Sequence, residues 1–357
     1  MHPVKLGIIG CGIAARELHW PALKDMTDTV EITAVCNHTE PKAKSFAELA
    51  GGVPYVLDYH KLLDRDDVEA VSIILPFELN RSVAMDALSA GKHIMVEKPL
   101  AGNLDDARKM LGFEEQYPKL VMMVAENYRY RPLFLRVREI LDEGAIGGPY
   151  AAVWNFFTDV GSGANVQYLS TRWRIDHTYK GGFLTDGGVH IIAVLRDLFG
   201  DLSSVSASTG CVNPGAGKVD TMSARFTMAG GLMCSLNQFY SSRGLRVNAF
   251  HIFGDAGTLG VDVYDNTITL KKESADDHIE TPDPERGYAG EYRDFHRAIR
   301  TGSPVASTFG EAFYDLQGIL GALESAELGK EVQLDLPAAS PYPPLTRGDV
   351  RRTRGIV

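Results

Sequence analysis

Val4-Lys5-Leu6-Gly7-Ile8-Ile9-Gly10-Cys11-Gly12-Ile13-Ala14-Ala15 is the stretch from which the fold can be read. Residues 4–10 are apolar almost throughout, as a strand buried on both faces must be. Gly10-Cys11-Gly12-Ile13-Ala14-Ala15 follows at once and matches G-x-G-x-x-G/A, with alanine in the last place. Gly10 permits a tight turn, Gly12 lets backbone approach a pyrophosphate, and Ala15 allows close helix–strand packing. A helix over about 14–24 then offers its N-terminal N–H groups to the anion. Strand, turn and helix in that order are the context the mechanism requires. Gly10, Cys11, Gly12, Ile13 and Ala14 are therefore expected to hold a dinucleotide.

Working outward, the alternation continues. Strands are expected at 31–36, 55–57, 70–75, 93–96 and 120–125, and helices at 40–50, 81–90 and 104–116. This predicts an α/β domain with a parallel sheet covered on both faces and right-handed crossovers. From about residue 150 the rhythm changes. Segments 150–158, 203–209, 221–228, 231–240, 248–253 and 267–271 are strand-like, and most are separated by Gly, Asp or Ser turns. Helices flank them at 131–143, 186–199, 288–301 and 311–328. The second half is thus expected to be an α+β domain with a large, mostly antiparallel open sheet. The expected division is 1–126, 127–340 and a C-terminal arm at 341–357, rich in proline and then arginine. A six-stranded sheet with one bare face calls for a partner, so a homodimer or homotetramer through the C-terminal sheet is expected.

The chain has 357 residues, a net charge of −10 and a 45% hydrophobic share. That length suits two domains. The acidic balance argues against a nucleic-acid partner. No apolar run approaches the ~20 residues of a membrane-spanning helix. The opening residues lack the basic-then-apolar pattern of a secretory signal. Cys11, Cys36, Cys211 and Cys234 are widely spread, so neither a disulfide framework nor a zinc knuckle is expected, and a cytoplasmic home is. H-x-x-x-H and H-E-x-x-H are absent, and no metal is expected.

The residue ending the second strand usually separates NAD from NADP, because an acid there binds the ribose hydroxyls and repels a 2′-phosphate. Here the chain reads Asn37-His38-Thr39. Asn37 can hydrogen-bond a ribose without repelling phosphate. His38, Lys42 and Lys44 could attract it, which tilts the reading from NAD toward NADP. His38 reads equally well as a solvated turn residue. Leu75, Pro76 and Glu97 stand at carboxyl ends of parallel strands, where such sheets place their ligands, and count as cofactor contacts. Lys98 stands at the same edge. A lysine there can hydrogen-bond a substrate hydroxyl and stabilise a developing alkoxide. Asp186 and His190 are four apart, on one face if helical. Ile191, Val194, Leu195 and Leu198 supply the stripe that would anchor that helix.

Two further segments carry a likeness. They are Ala90-Gly91-Lys92-His93-Ile94-Met95-Val96-Glu97-Lys98-Pro99-Leu100 and Gly181-Gly182-Phe183-Leu184-Thr185-Asp186-Gly187-Gly188-Val189-His190. With the Gly10 turn, the chain resembles, over nearly its whole length, the glucose–fructose oxidoreductase / inositol dehydrogenase / rhizopine-catabolism family (Gfo/Idh/MocA). The resemblance implies a Rossmann domain, an open-sheet second domain, and NAD(P)-dependent dehydrogenation or reduction of a sugar, cyclitol or related polyol. It assigns His190 as general acid/base and Asp186 as a substrate-binding or orienting carboxylate. It favours a cis peptide before Pro99. It sets Asn127 toward the nicotinamide or substrate, has Trp173 and Arg174 line the pocket, and brings Tyr288 and Tyr292 near it. Arg129 is left to reach the pocket or to hold the junction. Some positions depart from the common pattern. Ala193 and Arg196 follow the histidine where many relatives carry another acid, and Asn80 replaces a histidine after Pro76. An enzyme using transient oxidation, as NAD-dependent glycoside hydrolases do, or a non-catalytic dinucleotide-binding regulator, are the alternative outcomes.

Overall fold

The computed structural model describes residues 1–161, 171, 179–273 and 275–338. The chain forms two compact units. One is Met1–Arg131 with Glu285–Phe313, the other Pro132–Pro284 with Tyr314–Val357.

The first unit is built on six parallel strands: β1 (Val4–Ile9), β2 (Val30–Cys36), β3 (Tyr55–Val56), β4 (Ala70–Ile73), β5 (His93–Glu97) and β6 (Met122–Ala125). Their order is β3-β2-β1-β4-β5-β6. Leu6 pairs with Ile32 on one side and Ala70 on the other. Every residue of β4 and β6 is buried, because helices cover both faces; that is why these strands are apolar runs without alternation. Strand order reverses between β1 and β4, and the crevice at that reversal is where such sheets take ligands.

Helices α1 (Trp20–Leu23), α2 (Glu40–Leu49), α3 (Tyr59–Leu63), α4 (Asn80–Ser89), α5 (Leu104–Leu111) and α6 (Phe113–Gln116) connect the strands. Two differ from expectation. The helix expected over 14–24 opens into a π turn at Ala15–His19 before α1. The helix expected over 104–116 breaks at Gly112, a residue that costs a helix interior about 1 kcal/mol against alanine. At the start of α5, Asn103 accepts from the Asp106 N–H, a cap worth about 1 kcal/mol.

The second unit carries a nine-stranded sheet: β7 (Pro149–Phe157), β8 (Leu202–Gly210), β9 (Thr221–Met228), β10 (Met233–Phe239), β11 (Val247–Gly254), β12 (Gly257–Asp262), β13 (Thr267–Lys271), β14 (His278–Glu280) and β15 (Val332–Gln333). The order is β14-β13-β12-β11-β7-β10-β9-β8-β15, antiparallel except for β7 beside β10. Six strands were expected. The three additions are β12, diluted by two glycines, and β14 and β15, too short to show alternation. Helices α7 (Pro132–Asp142) and α8 (Phe183–Phe199) follow the same expectation, α8 starting three residues early. Trp154 lies at the centre of the unit. It is fully buried, stacked on Phe250 at 4.5 Å, and its Nε1–H donates to Asn248 Oδ1 at 2.8 Å.

The helix expected with the open sheet at 288–301, α9 (Tyr288–Thr301), belongs to the first unit instead. Ala289, Tyr292, Phe295 and Ala298 join the apolar core of Val4, Leu6 and Ile8. Burial of each large ring contributes roughly 1.5–3 kcal/mol. At its end Arg300 donates to Glu69 Oε2 at 2.8 Å and to Pro3 O at 2.9 Å. The single cut expected near residue 127 therefore marks only where the chain leaves the first unit. The return through 285–313 is invisible in sequence because an apolar helical stripe does not name the core it joins. Helix α10 (Phe309–Leu328) begins in the first unit and ends in the second. The expected arm, 341–357, lies outside the described residues. Among the described residues no helix is long and apolar enough to cross a membrane.

Candidate active site

The phosphate turn is set by sterics. Gly10 has φ +105°, and a Cβ there would stand 2.1 Å from Ile74 O, so only glycine fits. A Cβ on Gly12 would meet nothing within 4 Å; the open side of the turn is over Gly12, a cradle that suits a diphosphate. Gly10 N–H donates to Cys36 O at 2.8 Å, and Cys11 N–H to Asn37 Oδ1 at 3.1 Å. Both donors are engaged within the fold, which leaves the N–H groups of Gly12, Ile13 and Ala14 as the candidate donors to an anion. Cys11 contributes packing. Burial, helped by the nearby Cys36, pushes its thiol up to about 12, which leaves no thiolate at neutral pH. Leu75 lies against the same turn, its Cδ2 3.1 Å from the position of a Gly10 Cβ, and Pro76 beside it is half-buried.

Asn37 serves the turn. It is 8% exposed, and while Oδ1 accepts from Cys11 N–H, Nδ2 donates to Thr39 O at 3.2 Å. Its amide braces the turn and keeps a second N–H and a second lone pair. His38 is exposed.

Lys98 follows the last residue of β5, half-buried, and the Lys98–Pro99 peptide is cis. Two buried side chains grip this turn. Asn80 Nδ2 donates to the carbonyls of Glu97, Pro99 and Leu100 at 2.7, 3.1 and 3.3 Å. His19, fully buried at the end of the π turn, lies with Nε2 2.6 Å from Glu97 Oε1 and Nδ1 2.9 Å from Tyr292 Oη. Tyr292 Oη is 3.3 Å from Ser72 Oγ. Glu291, on α9, is fully buried with neither oxygen hydrogen-bonded; its nearest basic partner is His19 Nδ1, 3.6 Å away. Burial, with the carboxylates of Glu97, Glu126 and Glu285, pushes Glu291 well above the usual carboxylate range. Nothing in the sequence marks Glu291 for this cluster, and Tyr292 only through the family resemblance. Only the four-residue step from Ala15 to His19 hints that the histidine faces inward.

Asp186 and His190 sit one turn apart near the start of α8, both half-exposed. Val189, Ile191, Val194, Leu195 and Leu198 are buried, so the stripe read from sequence turns this pair outward. Helix and sheet approach closely here, since a Cβ on Gly187 would stand 1.9 Å from Tyr240 Oη. Gln238 Nε2 donates to Tyr240 Oη at 3.0 Å and to Leu184 O at 3.4 Å, and so supports the first turn of α8. Sequence reasoning gave no signal for Gln238 or Tyr240. Arg196 is 1% exposed and bound to Asp201 and Asp315, which explains a base where an acid is common.

Asn127 is 3% exposed and its Nδ2 donates to Arg286 O at 2.6 Å. Tyr288 is 8% exposed, its ring edge-on to His19 at 5.2 Å. Arg129 is buried within the first unit, with Nη2 3.5 Å from Glu311 Oε2. Trp173 and Arg174 lie outside the described residues. Among the described residues no three His, Cys, Asp or Glu side chains gather to hold a metal ion.

Comparison with known proteins agrees with this architecture. Residues 4–125 match the model of the oxidoreductase family with NAD-binding Rossmann fold, and residues 134–260 that of the GFO/IDH/MocA C-terminal domain. An uncharacterised protein of Saccharomyces cerevisiae is 30% identical over 94% of this chain and 100% of its own length. The dTDP-3,4-didehydro-2,6-dideoxy-α-D-glucose 3-reductase of Actinomadura kijaniata is 33% identical over 58% of this chain and 59% of its own. A Thermotoga maritima oxidoreductase superposes with a TM-score of 0.86 at 33% identity, covering 93% of this chain and 98% of that one. Levoglucosan dehydrogenase, solved with NADH and levoglucosan, shares the fold with a TM-score of 0.82 at 23% identity, over 93% of this chain and 100% of its own. A Gly10 turn at the strand reversal, a Lys98 turn at the same sheet edge, and matches across both units lead to one assignment: the chain belongs to the Gfo/Idh/MocA family and is an NAD(P)-binding dehydrogenase or reductase.

Proposed function

We propose that this enzyme catalyses the reversible oxidation of a secondary alcohol, or a hemiacetal hydroxyl, on a sugar, cyclitol or related polyol. The observation that carries this reading is the half-exposed pair Asp186 and His190 on one face of α8. Named relatives that act on dTDP-sugars and D-apiose support the substrate class. When bound, the dinucleotide supplies the nicotinamide that takes or gives hydride. His190 accepts the hydroxyl proton during oxidation and returns it in reduction, a task suited to an imidazole. Lys98 donates a hydrogen bond to the reacting oxygen and stabilises its developing negative charge. Asp186 orients the His190 ring or holds a neighbouring hydroxyl. The test is a panel of sugars and cyclitols with each cofactor, followed by nicotinamide absorbance. His190→Asn and Lys98→Ala should each lower turnover by ~10²–10⁴; near-normal turnover in both would sink the assignments.

We infer a preference for NADP. The end of β2 carries no acid, the Asn37 amide braces Cys11 and Thr39, and His38, Lys42 and Lys44 are exposed around it. Arg16 is close by, with Nη2 3.5 Å from Lys42 O. One or two charged contacts to a 2′-phosphate correspond to roughly 10- to 100-fold in affinity. Fluorescence titration should find NADPH bound that much more tightly than NADH; equal affinities would reject the preference. Four free cysteines suit a reducing compartment such as the cytoplasm. We also infer self-association through the sheet face of β10 bearing Met233, 52% exposed, and Phe239, stacked on Phe157 at 4.9 Å. Sedimentation should show a dimer or tetramer that Met233→Lys weakens; a wild-type monomer at micromolar concentration would reject this.

A further inference from the structure

We propose that His19 is a positioning residue for Lys98: by fixing the Glu97 carboxylate it sets the aim of the lysine that follows. The inference rests on the reading of Lys98 as the group that meets the substrate oxygen.

In the tautomer we assign, with the ring proton on Nε2, His19 donates to Glu97 Oε1 at 2.6 Å. His19 Nδ1 then accepts from Tyr292 O–H, 2.9 Å away, and Tyr292 Oη accepts from Ser72 Oγ–H at 3.3 Å. The chain Ser72–Tyr292–His19–Glu97 is directed, and it ends on the residue beside Lys98. The 3.6 Å separation between Glu291 Oε1 and Nδ1 is too long for a hydrogen bond. Glu291 adds no grip on the ring; it stands behind it among Glu97, Glu126 and Glu285.

The two clamps on the turn are complementary. Asn80 holds the backbone on either side of Lys98 through the carbonyls of Glu97, Pro99 and Leu100. His19 holds the side chain of Glu97, which keeps only 12% exposure. Successive side chains of a strand end point to opposite faces. Fixing residue 97 on one face therefore fixes the direction in which residue 98 leaves on the other. A misplacement of about 1 Å in a reacting group costs ~100-fold in rate.

Stability alone does not account for the arrangement. A buried histidine between a part-buried carboxyl and a fully buried one with no hydrogen bond at all is costly, and apolar side chains of similar volume would serve a core at least as well. His19 also ends a π turn that starts at Ala15, the last residue of the phosphate motif, and π turns concentrate at functional sites. The same short segment thus serves the cofactor turn at one end and the Lys98 turn at the other.

The experiment compares His19→Leu, His19→Gln, Glu97→Gln and the double variant His19→Leu/Glu97→Gln. Turnover is measured on whichever sugar the panel identifies, and NADPH and NADH dissociation constants by nicotinamide fluorescence. His19→Leu should lower kcat about 100-fold while cofactor dissociation constants move less than about threefold, because the Gly12–Ala14 donors are untouched. Glutamine, whose amide nitrogen can take the place of Nε2, should restore kcat to within about tenfold of wild type. The double variant should be no worse than about threefold below His19→Leu, since both changes break one bond. Full kcat in His19→Leu, additive losses in the double variant, or cofactor binding that fails in parallel with kcat would each overturn the proposal. If wild-type protein turns over no sugar, it is the functional reading that has failed. Reductive methylation of Lys98 with formaldehyde and cyanoborohydride, mapped by mass spectrometry on the NADPH-bound protein, then decides. A Lys98 rate altered threefold or more by His19→Leu and restored by His19→Gln supports the positioning role; an unaltered rate overturns it.

Discussion

In the second unit Arg196, 1% exposed, has Nη1 2.7 Å from Asp315 and Nη2 2.6 Å from Asp201. In the first unit Glu291, equally buried, gives neither oxygen a hydrogen bond and lies 3.6 Å from the nearest basic nitrogen. Both regions bury charge-bearing groups, but one is matched and the other is not. The matched cluster ties α8 to the loop after it and to α10, so that the helix carrying Asp186 and His190 has a fixed far end. The unmatched carboxyl stands behind a hydrogen-bond chain that ends at Glu97, beside Lys98. A buried charge with its partners in place acts as a clamp. A buried carboxyl without them stays neutral by holding its proton, and makes its neighbourhood sensitive to pH.

The contrast can be broken at its strong end first. Arg196→Leu removes the cation and leaves Asp201 and Asp315 uncompensated, which should cost about 3–5 kcal/mol, read as a lower urea midpoint at pH 7. Replacing all three residues together with apolar ones of similar size should recover most of that loss. A single variant within about 1 kcal/mol of wild type would mean that the triad is not a clamp.

The weaker end is sharpened by pH. Unfolded Glu291 loses its proton near pH ~4.3, while burial keeps the folded form protonated to higher pH. Between those values the folded state binds more protons than the unfolded one. Its contribution is therefore fully present below the unfolded value and falls as pH rises toward the raised one, by at most ~1.4 kcal/mol per pH unit. Glu291→Gln removes this decline. The variant should match wild type near pH 4 and be the more stable near pH 8. Parallel urea midpoints across that range would show that Glu291 is ionised in the folded protein and that the contrast drawn here is false.

The parallel sheet and its dinucleotide turn were legible because each rests on local rules. Buried parallel strands must be apolar throughout, and a positive φ pressed against Ile74 O admits only Gly10. The spacing of Asp186 and His190 was legible too, since helical periodicity alone puts positions four apart on one face. Nothing local distinguishes α9 from a helix of the open sheet, yet its Tyr292 reaches back 273 positions to His19. The type of Asn37 permits a bond to a ribose; that its amide also braces Cys11 and Thr39 is decided by the fold. Sequence by itself determined the fold class, the phosphate turn and the residue types available for catalysis, because these follow from backbone sterics and side-chain period. Only the tertiary structure decided which buried polar groups are satisfied, and by whom, because a hydrogen-bond partner is fixed by proximity in space and leaves no periodic trace along the chain.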